Sequence, residues 1–135
     1  DLRRSRGLGD VYKRQFLGIH TGSFPNLFLI AGPQGGGGSF NFTDAIDEHS
    51  EYVVWLLKTM KENGKNRVDV LEELEAEYTE HCRMADLSTR PLRDCVSYYN
   101  GHGDAQPGSL AYYGGGQWHR FRKRAQETLE PFIFA

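Results

Sequence analysis

The stretch that decides the fold is NLFLIAGPQGGGGSFNFTDAIDEH, residues 26–49. An apolar run leads into a loop of glycines, and a helical pattern starts directly after the loop. The glycines within the loop 32–39, GPQGGGGS, permit backbone conformations that other residues rarely adopt. The layout predicts a strand, a turn and a helix, which is how many proteins seat a phosphate or a dinucleotide. The first question is therefore what this loop holds.

Apolar spacing predicts the elements on either side of the loop. The run FPNLFLIAG at 24–32 predicts a buried strand. A helix is expected from about 43 to 63, with an apolar stripe formed by Ala45, Ile46, Tyr52, Val53, Leu56, Leu57 and Met60. Its expected terminal residues are an N-cap, two first-turn acids and an exit glycine, namely Thr43, Asp44, Asp47 and Gly64.

A second helix is predicted from about Val70 to Ala85, opened by a capping box of Asp69 and Glu72. Its apolar positions are Leu71, Leu74, Tyr78, Cys82 and Ala85. Its outer face is expected to be solvated because it carries Glu72, Glu73, Glu75, Glu77 and Glu80. Periodicity is lost over 86–111, and a short strand is expected at 110–115. A basic cluster in the tail is expected to form the polar face of a closing helix: Arg120, Arg122, Lys123 and Arg124.

The first fifteen residues do not resemble an evolved protein sequence. SRGLGDVYKRQ, residues 5–15, reads back in one frame as the adapter of transposase-based sequencing libraries. We therefore interpret residues 1–15 as non-native and exclude them from fold reasoning. Residues 16–135 are then expected to be the C-terminal part of a longer protein.

Charge and composition exclude several classes of function. The chain has 16 Lys and Arg and 18 Asp and Glu. Five of the basic and two of the acidic residues lie in 1–15, so the rest is net acidic, which argues against a nucleic-acid partner. The apolar stretches are shorter than the ~20 residues of a membrane span. Cys82 and Cys95 are expected to be free thiols in a reducing, cytoplasmic protein.

Three familiar chemistries fit the residues poorly. A phosphate-binding P-loop fails because Gly38 stands where its lysine is required. The five histidines (His20, His49, His81, His102 and His119) lack metal-ligand spacing, so no metal is expected. A triad of Ser97, His102 and Asp104 lacks a nucleophile elbow. What remains is a helix N-terminus, whose amides suit an electron-rich oxygen such as a flavin pyrimidine carbonyl.

The residues around the loop resemble Baeyer–Villiger flavoprotein monooxygenases. FLGIHTGSFPNLFLIAGPQG (16–35) and NFTDAIDEHSEYVVWLL (41–57) are similar to a strand and turn Y-x-G…FPNLF…GP followed by a helix S-N…IE-x-H-x-EW. AEYTEHCRMADLS (76–88) resembles the next acidic helix. SYYNGHGDAQPGSLAYYGGGQWHRFR (97–122) resembles the ending SWY-x-GAN-x-PGK…Y-x-GG…YR.

This resemblance implies an α/β fold, as the C-terminal fragment of a flavoprotein with two dinucleotide-binding domains. It implies FAD and NADPH as cofactors, and O2 and a ketone as substrates. The catalytic residues are expected upstream of Phe16, so the fragment alone should be inactive and should need the rest of its chain. The implied cofactor-binding residues are Gly32, Pro33, Asn41, Phe42, Thr43 and Tyr98.

Two departures and two alternatives accompany the resemblance. Tyr98 replaces the tryptophan of the SWY motif, which in the family contacts NADP. The loop 34–38 is also richer in glycine than the family pattern. A related monooxygenase that oxygenates nitrogen or sulfur is one alternative, and an upstream signature would separate it. A small binding domain without redox chemistry is the other alternative.

Overall fold

The computed structural model describes residues 14–32, 41–89 and 117–135. The described elements are three helices and two short strands, which agrees with the predicted α/β class. In chain order they are α1 (Phe42–Glu62), β1 (Val68–Val70), α2 (Glu72–Thr89), α3 (Gln117–Thr128) and β2 (Phe132–Phe134). Several sequence predictions lie outside the described residues: Pro33, Cys95, the Ser97–His102–Asp104 triad, Tyr98 and the strand at 110–115.

Helix α1 confirms the predicted helix but begins at a different cap. Asn41 is the N-cap, with an extended backbone at φ −66° and ψ 128°. Its Oδ1 accepts the Thr43 N–H at 3.2 Å, so the prediction of Thr43 as N-cap is wrong. An amide or carboxylate side chain on the last extended residue reaches the free first-turn amides well. Asp44 lies in the first turn as predicted, but Asp47 lies beyond it. Gly64 follows the C-cap residue Asn63 with φ +64°.

The buried face of α1 is narrower than the predicted stripe. Its buried members recur at helical spacing and are Ala45, His49, Tyr52, Leu56 and Met60. Leu57, which was predicted to belong to the stripe, is 48% exposed. His49 lies on this buried face, although the predicted apolar stripe did not include it.

The second predicted helix is confirmed as α2, but it begins two residues later than expected, because Val70 belongs to β1. Asp69 lies in β1 and accepts the N–H of Val70 at 2.9 Å, so it forms no capping box. Helix α2 starts at Glu72, and the Leu71 carbonyl accepts the Glu75 amide at 3.0 Å. The partner of β1 is β2, which pairs with it antiparallel. Local spacing could not reveal a strand whose partner comes from the end of the chain.

Residues 24–32 form turns and irregular structure, so the predicted buried strand is also wrong. Asn26 and Ala31 have φ of 61° and 56°, which interrupts an extended backbone. Leu29 donates its N–H to the Ile19 carbonyl at 2.8 Å. Ile30 is 44% exposed. A strand needs a ladder of hydrogen bonds, and the segment that contains Ile19 is itself bent, with φ +60° at Leu17.

The core is built around the irregular segment 16–32 and above all around its first residues. Its buried apolar members come from every described element: Phe16, Leu17, Ile19, Tyr52, Leu56, Met60, Val68, Val70, Tyr78, Cys82, Trp118, Phe121, Ala125 and Phe132. Phe16 is central, since its ring makes edge contacts with those of Tyr78, Phe121 and Phe132. Edge-on ring contacts of this kind are a favoured packing of aromatic side chains.

The acidic face of α2 is exposed at three of its five glutamates, and Glu77 is half-buried. Glu72, Glu73 and Glu80 are exposed, as predicted. Glu75 is fully buried, which contradicts the prediction. Its Oε1 accepts the N–H of Gly22 at 3.0 Å. A buried carboxylate requires such donors, so Glu75 is directed inward by the backbone of the irregular segment.

Helix α3 is the closing helix predicted for the basic cluster. Arg120 and Lys123 are exposed. Arg124 pairs with Glu77 and Glu130, each at 3.1 Å. Within the described part of the chain, no helix is long and apolar enough to cross a bilayer.

The interpretation of residues 1–15 as non-native stays a prediction. Arg14 is exposed and Gln15 is buried. The other residues of that segment lie outside the described ranges.

Candidate functional site

The bend that enters the glycine-rich loop requires glycine at position 32. A Cβ on Gly32 would lie 2.2 Å from the Gly18 carbonyl oxygen and 3.0 Å from Gln15 Oε1. The first contact is with backbone, which cannot move aside without shifting the segment. Two chain segments therefore meet here at a distance that only glycine allows.

A buried histidine holds the residue before Gly32. The Ala31 N–H donates to His49 Nδ1 at 3.1 Å. The His49 ring is 1% exposed and stacks on Trp118 with centroids 5.4 Å apart and an interplanar angle of 15°. Trp118 Nε1 in turn donates to the Leu17 carbonyl at 3.0 Å. Sequence reasoning missed both side chains, although His49 lies at i+4 from Ala45 and i−3 from Tyr52, within the apolar stripe.

Trp118 also contacts Arg122, which lies four residues further along α3. The Arg122 guanidinium carbon lies 5.3 Å from its ring centroid, within the range of a cation–π contact. Arg122 forms an ion pair with Glu48 and a longer one with Glu51 at 3.7 Å. Partial burial lowers the pKa of Arg122. These contacts tie α3 to α1 beside the bend.

The N-terminus of α1 is open to solvent. Asn41, Phe42 and Thr43 are all exposed, and Phe42 is 62% exposed despite its apolar ring. Because the Thr43 amide donates to the Asn41 cap, an outside oxygen would be met by the neighbouring first-turn amides. Of the predicted cofactor-binding residues, Gly32, Asn41, Phe42 and Thr43 lie in the described part of the chain.

A second histidine is buried in an aromatic box away from solvent. His20 Nε2 lies 3.3 Å from the Tyr52 hydroxyl, and its ring contacts those of Phe28 and Phe132. Burial lowers the pKa of His20 to about 3 and raises that of Tyr52. A neutral imidazole with these neighbours serves packing rather than proton transfer at neutral pH.

Among the described residues, Cys82 and the side chains able to bind metal form no further site. Cys82 is a buried free thiol, and burial raises its pKa to about 12. A thiol with so high a pKa is a poor nucleophile at neutral pH. Among residues 14–32, 41–89 and 117–135, no three His, Cys, Asp or Glu side chains are grouped to hold a metal ion.

A Baeyer–Villiger monooxygenase is among the proteins that are similar to this chain in sequence. A Baeyer–Villiger monooxygenase of Pseudomonas aeruginosa is 32% identical over 101 residues, which are 72% of this chain and 19% of that protein. Most of this chain is therefore similar in sequence to part of a Baeyer–Villiger monooxygenase. The chain spans about one fifth of the length of this curated relative. No family model matches the sequence.

Solved structures give the same fold. A steroid monooxygenase bound to NADP superposes with a TM-score of 0.78 at 21% identity, over 98% of this chain and 26% of that chain. OTEMO in complex with FAD and NADP gives 0.75 at 22% identity, over 90% and 22% of the two chains. Closed cyclohexanone monooxygenase gives 0.74 at 23% identity, over 98% and 26%. At these identities the likeness establishes the fold of the segment.

Proposed function

We propose that this chain is part of a Baeyer–Villiger-type flavin monooxygenase, which uses FAD, NADPH and O2 to insert one oxygen atom into a ketone. The observation that carries the proposal is the 32% identity to a Baeyer–Villiger monooxygenase over 101 residues. Folds of monooxygenases bound to FAD and NADP support it. Residues 16–135 would form part of the FAD-binding and active-site region, and residues 1–15 would be non-native.

Two features of the N-terminus of α1 support a flavin contact there. The first turn is solvent-exposed, so a planar ring could lie over it. The helix end carries partial positive charge and amide donors, which would stabilise electron density on the pyrimidine edge. Asn41 would keep these amides in place by capping the helix. Phe42 would cover the ring edge with an apolar surface, and Gly32 would bring the preceding bend close.

The bound cofactors would supply the redox chemistry, with NADPH as the source of electrons and the flavin as the group that reacts with oxygen. The residues of this chain would bind and orient the cofactors and would exclude water from the site. Pro33 would continue the turn beside the flavin, and Tyr98 would contact NADP. The catalytic residues would lie elsewhere in a longer chain, so this segment would be inactive alone and would need the rest of that chain as its partner. We expect a cytoplasmic protein without membrane or nucleic-acid partners.

Isotope incorporation tests the reaction. The full-length protein would be incubated with NADPH, 18O2 and a cyclic ketone, and in parallel with a thioether and a tertiary amine. We expect one 18O atom in a lactone product. Oxygenation confined to sulfur or nitrogen would replace the proposal with the heteroatom-oxygenating alternative. Absence of bound FAD would favour a binding domain.

Capping variants test the proposed flavin contact. Asn41→Ala removes the cap acceptor, Asn41→Ser retains one, and Asn63→Ala changes the opposite end of the same helix. Asn63 donates to the Thr59 carbonyl at 2.8 Å, so that control loses a comparable side-chain bond. We expect Asn41→Ala alone to weaken FAD retention. Equal FAD retention in all three variants would remove the N-terminus of α1 from the flavin site.

A further inference from the structure

Two of the left-handed bends in segment 16–32 lie against each other. Leu17 has φ +60° and Ala31 has φ +56°, and neither is glycine. Left-handed backbone costs an L-residue about 1–2 kcal/mol, so each bend needs surrounding contacts to persist. The bends touch at the residues that follow them, since Gly32 meets the Gly18 carbonyl.

One pair of stacked side chains bonds to both bends. His49 accepts the Ala31 amide at 3.1 Å, and Trp118 donates to the Leu17 carbonyl at 3.0 Å. The two rings are nearly parallel, and both side chains are almost fully buried. The pair thus joins two strained residues through one rigid unit, with one ring from α1 and one from α3.

The hydrogen bond from the Ala31 amide determines which ring nitrogen of His49 carries the proton. An acceptor nitrogen must carry a lone pair, so Nδ1 has no proton and the proton of the neutral ring is on Nε2. A protonated imidazolium would have no acceptor for Ala31. The site therefore selects one tautomer of His49.

The position of His49 gives this pair a functional consequence. His49 is about two helical turns from Asn41 on α1, and Ala31 immediately precedes Gly32. A hydrogen bond between them fixes the bend relative to the helix whose N-terminus is proposed to face the flavin. Arg122, which contacts the Trp118 ring, pairs with Glu48 and anchors the stack to the same helix.

We propose that His49 is a positioning residue whose Nδ1, clamped by Trp118, holds the Ala31–Gly32 bend in place at the flavin site. The consequence for the flavin rests on the proposed function. The clamp itself follows from the contacts of His49, Trp118, Ala31 and Leu17. Its failure and the failure of the proposed function can therefore be told apart.

The test compares His49→Leu, which removes the acceptor, with His49→Asn, whose Oδ1 can accept in the place of Nδ1. His81→Leu is the matched control, because His81 is an exposed histidine on α2. In the full-length FAD-bound protein, amide hydrogen exchange at Ala31 is measured together with the flavin absorbance spectrum. Product formed per NADPH consumed is measured on the same samples.

We expect His49→Leu to speed exchange at Ala31 about tenfold, which is the loss of roughly one hydrogen bond. The flavin spectrum should shift and coupling of NADPH to product should fall, while His49→Asn and His81→Leu stay near wild type. Unchanged exchange in His49→Leu would overturn the clamp, as would an Asn variant that behaves like Leu. Altered exchange with an unchanged flavin spectrum would retain the clamp and overturn its role at the flavin.

A measurement on the wild type covers the case in which the variants do not fold. Nitrogen-15 NMR of labelled histidine reports which ring nitrogen carries the proton. We expect His49 to carry it on Nε2 with Nδ1 unprotonated. A proton on Nδ1 would overturn the proposal without reference to any variant.

Discussion

Residues 16–21, at the start of the irregular segment, and the charged surface of α3 differ in secondary structure and in burial. The first has no helix or regular strand, yet all its residues are buried. The second is regular helix, yet its polar face is built from exposed or half-buried ion pairs. Regular secondary structure therefore does not by itself mark the buried part of this molecule. Side chains from distant elements hold the irregular segment, and it should be far more sensitive to substitution than the helical surface.

Trp118→Ala should produce the largest effect. It removes a buried indole that stacks on His49 and bonds to the Leu17 carbonyl. Truncation of a buried aromatic costs about 3–5 kcal/mol, measured as the free energy of unfolding in urea. Trp118→Phe, which keeps an aromatic ring but loses the N–H and part of the indole, should cost less. Equal losses in the two variants would contradict a contribution from aromatic packing at this site.

Gly32→Ala should be the next most severe change. Its new Cβ would collide with the Gly18 carbonyl oxygen, and insertion of atoms into a packed site costs about 1–3 kcal/mol. Gly64→Ala is the control with open space around it, where only the positive φ opposes the change. Thermal unfolding of both variants checks the expectation. A smaller loss for Gly32→Ala would mean that the two bends can separate.

Acid should weaken the aromatic box around His20. Its pKa is lowered to about 3 by burial, whereas the unfolded chain binds the proton near 6.5. The unfolded state therefore binds more protons as the pH falls below 6.5. Stability that is present above pH 6.5 is lost progressively toward pH 3, by up to about 1.4 kcal/mol per pH unit. Urea titrations of wild type and His20→Gln between pH 7 and 5 check this, and equal slopes would contradict it.

Arg124→Met should have the smallest effect, although it breaks contacts with both Glu77 and Glu130. These side chains are about 40 to 50% exposed, and exposed ion pairs contribute about 0–1 kcal/mol. The difference from wild type should shrink further in high salt. Chemical denaturation at low and high ionic strength measures both effects. A loss as large as that of Trp118→Ala would erase the contrast between the two regions.

The sequence predicted well those features that depend on neighbours a few residues away. Helix α1 was found because Tyr52, Leu56 and Met60 recur at the spacing of one helix face. The exit at Gly64 follows from the backbone freedom of glycine. The basic tail was correctly assigned to a closing helix. The candidate site was located through resemblance of the residues around the glycine loop, since composition alone indicates only an α/β domain.

The failures lie where a distant residue decides the outcome. Residues 24–32 have the composition of a strand, but they turn at Asn26 and Ala31. Asp69 was predicted to cap a helix, but pairing with β2 places it in a strand. Glu75 looked solvated, but a backbone amide from Gly22 draws it into the core.

The sequence by itself determined helices α1 and α3 and the conformational freedom of the glycine-rich loop, because helical hydrogen bonds and glycine conformations are local. Only the tertiary structure decided that His49 and Trp118 hold Ala31 and Leu17 in place. Those bonds join residues far apart in the chain, and no periodic pattern encodes them. Their energy appears only when burial removes the water that would otherwise compete for each donor and acceptor.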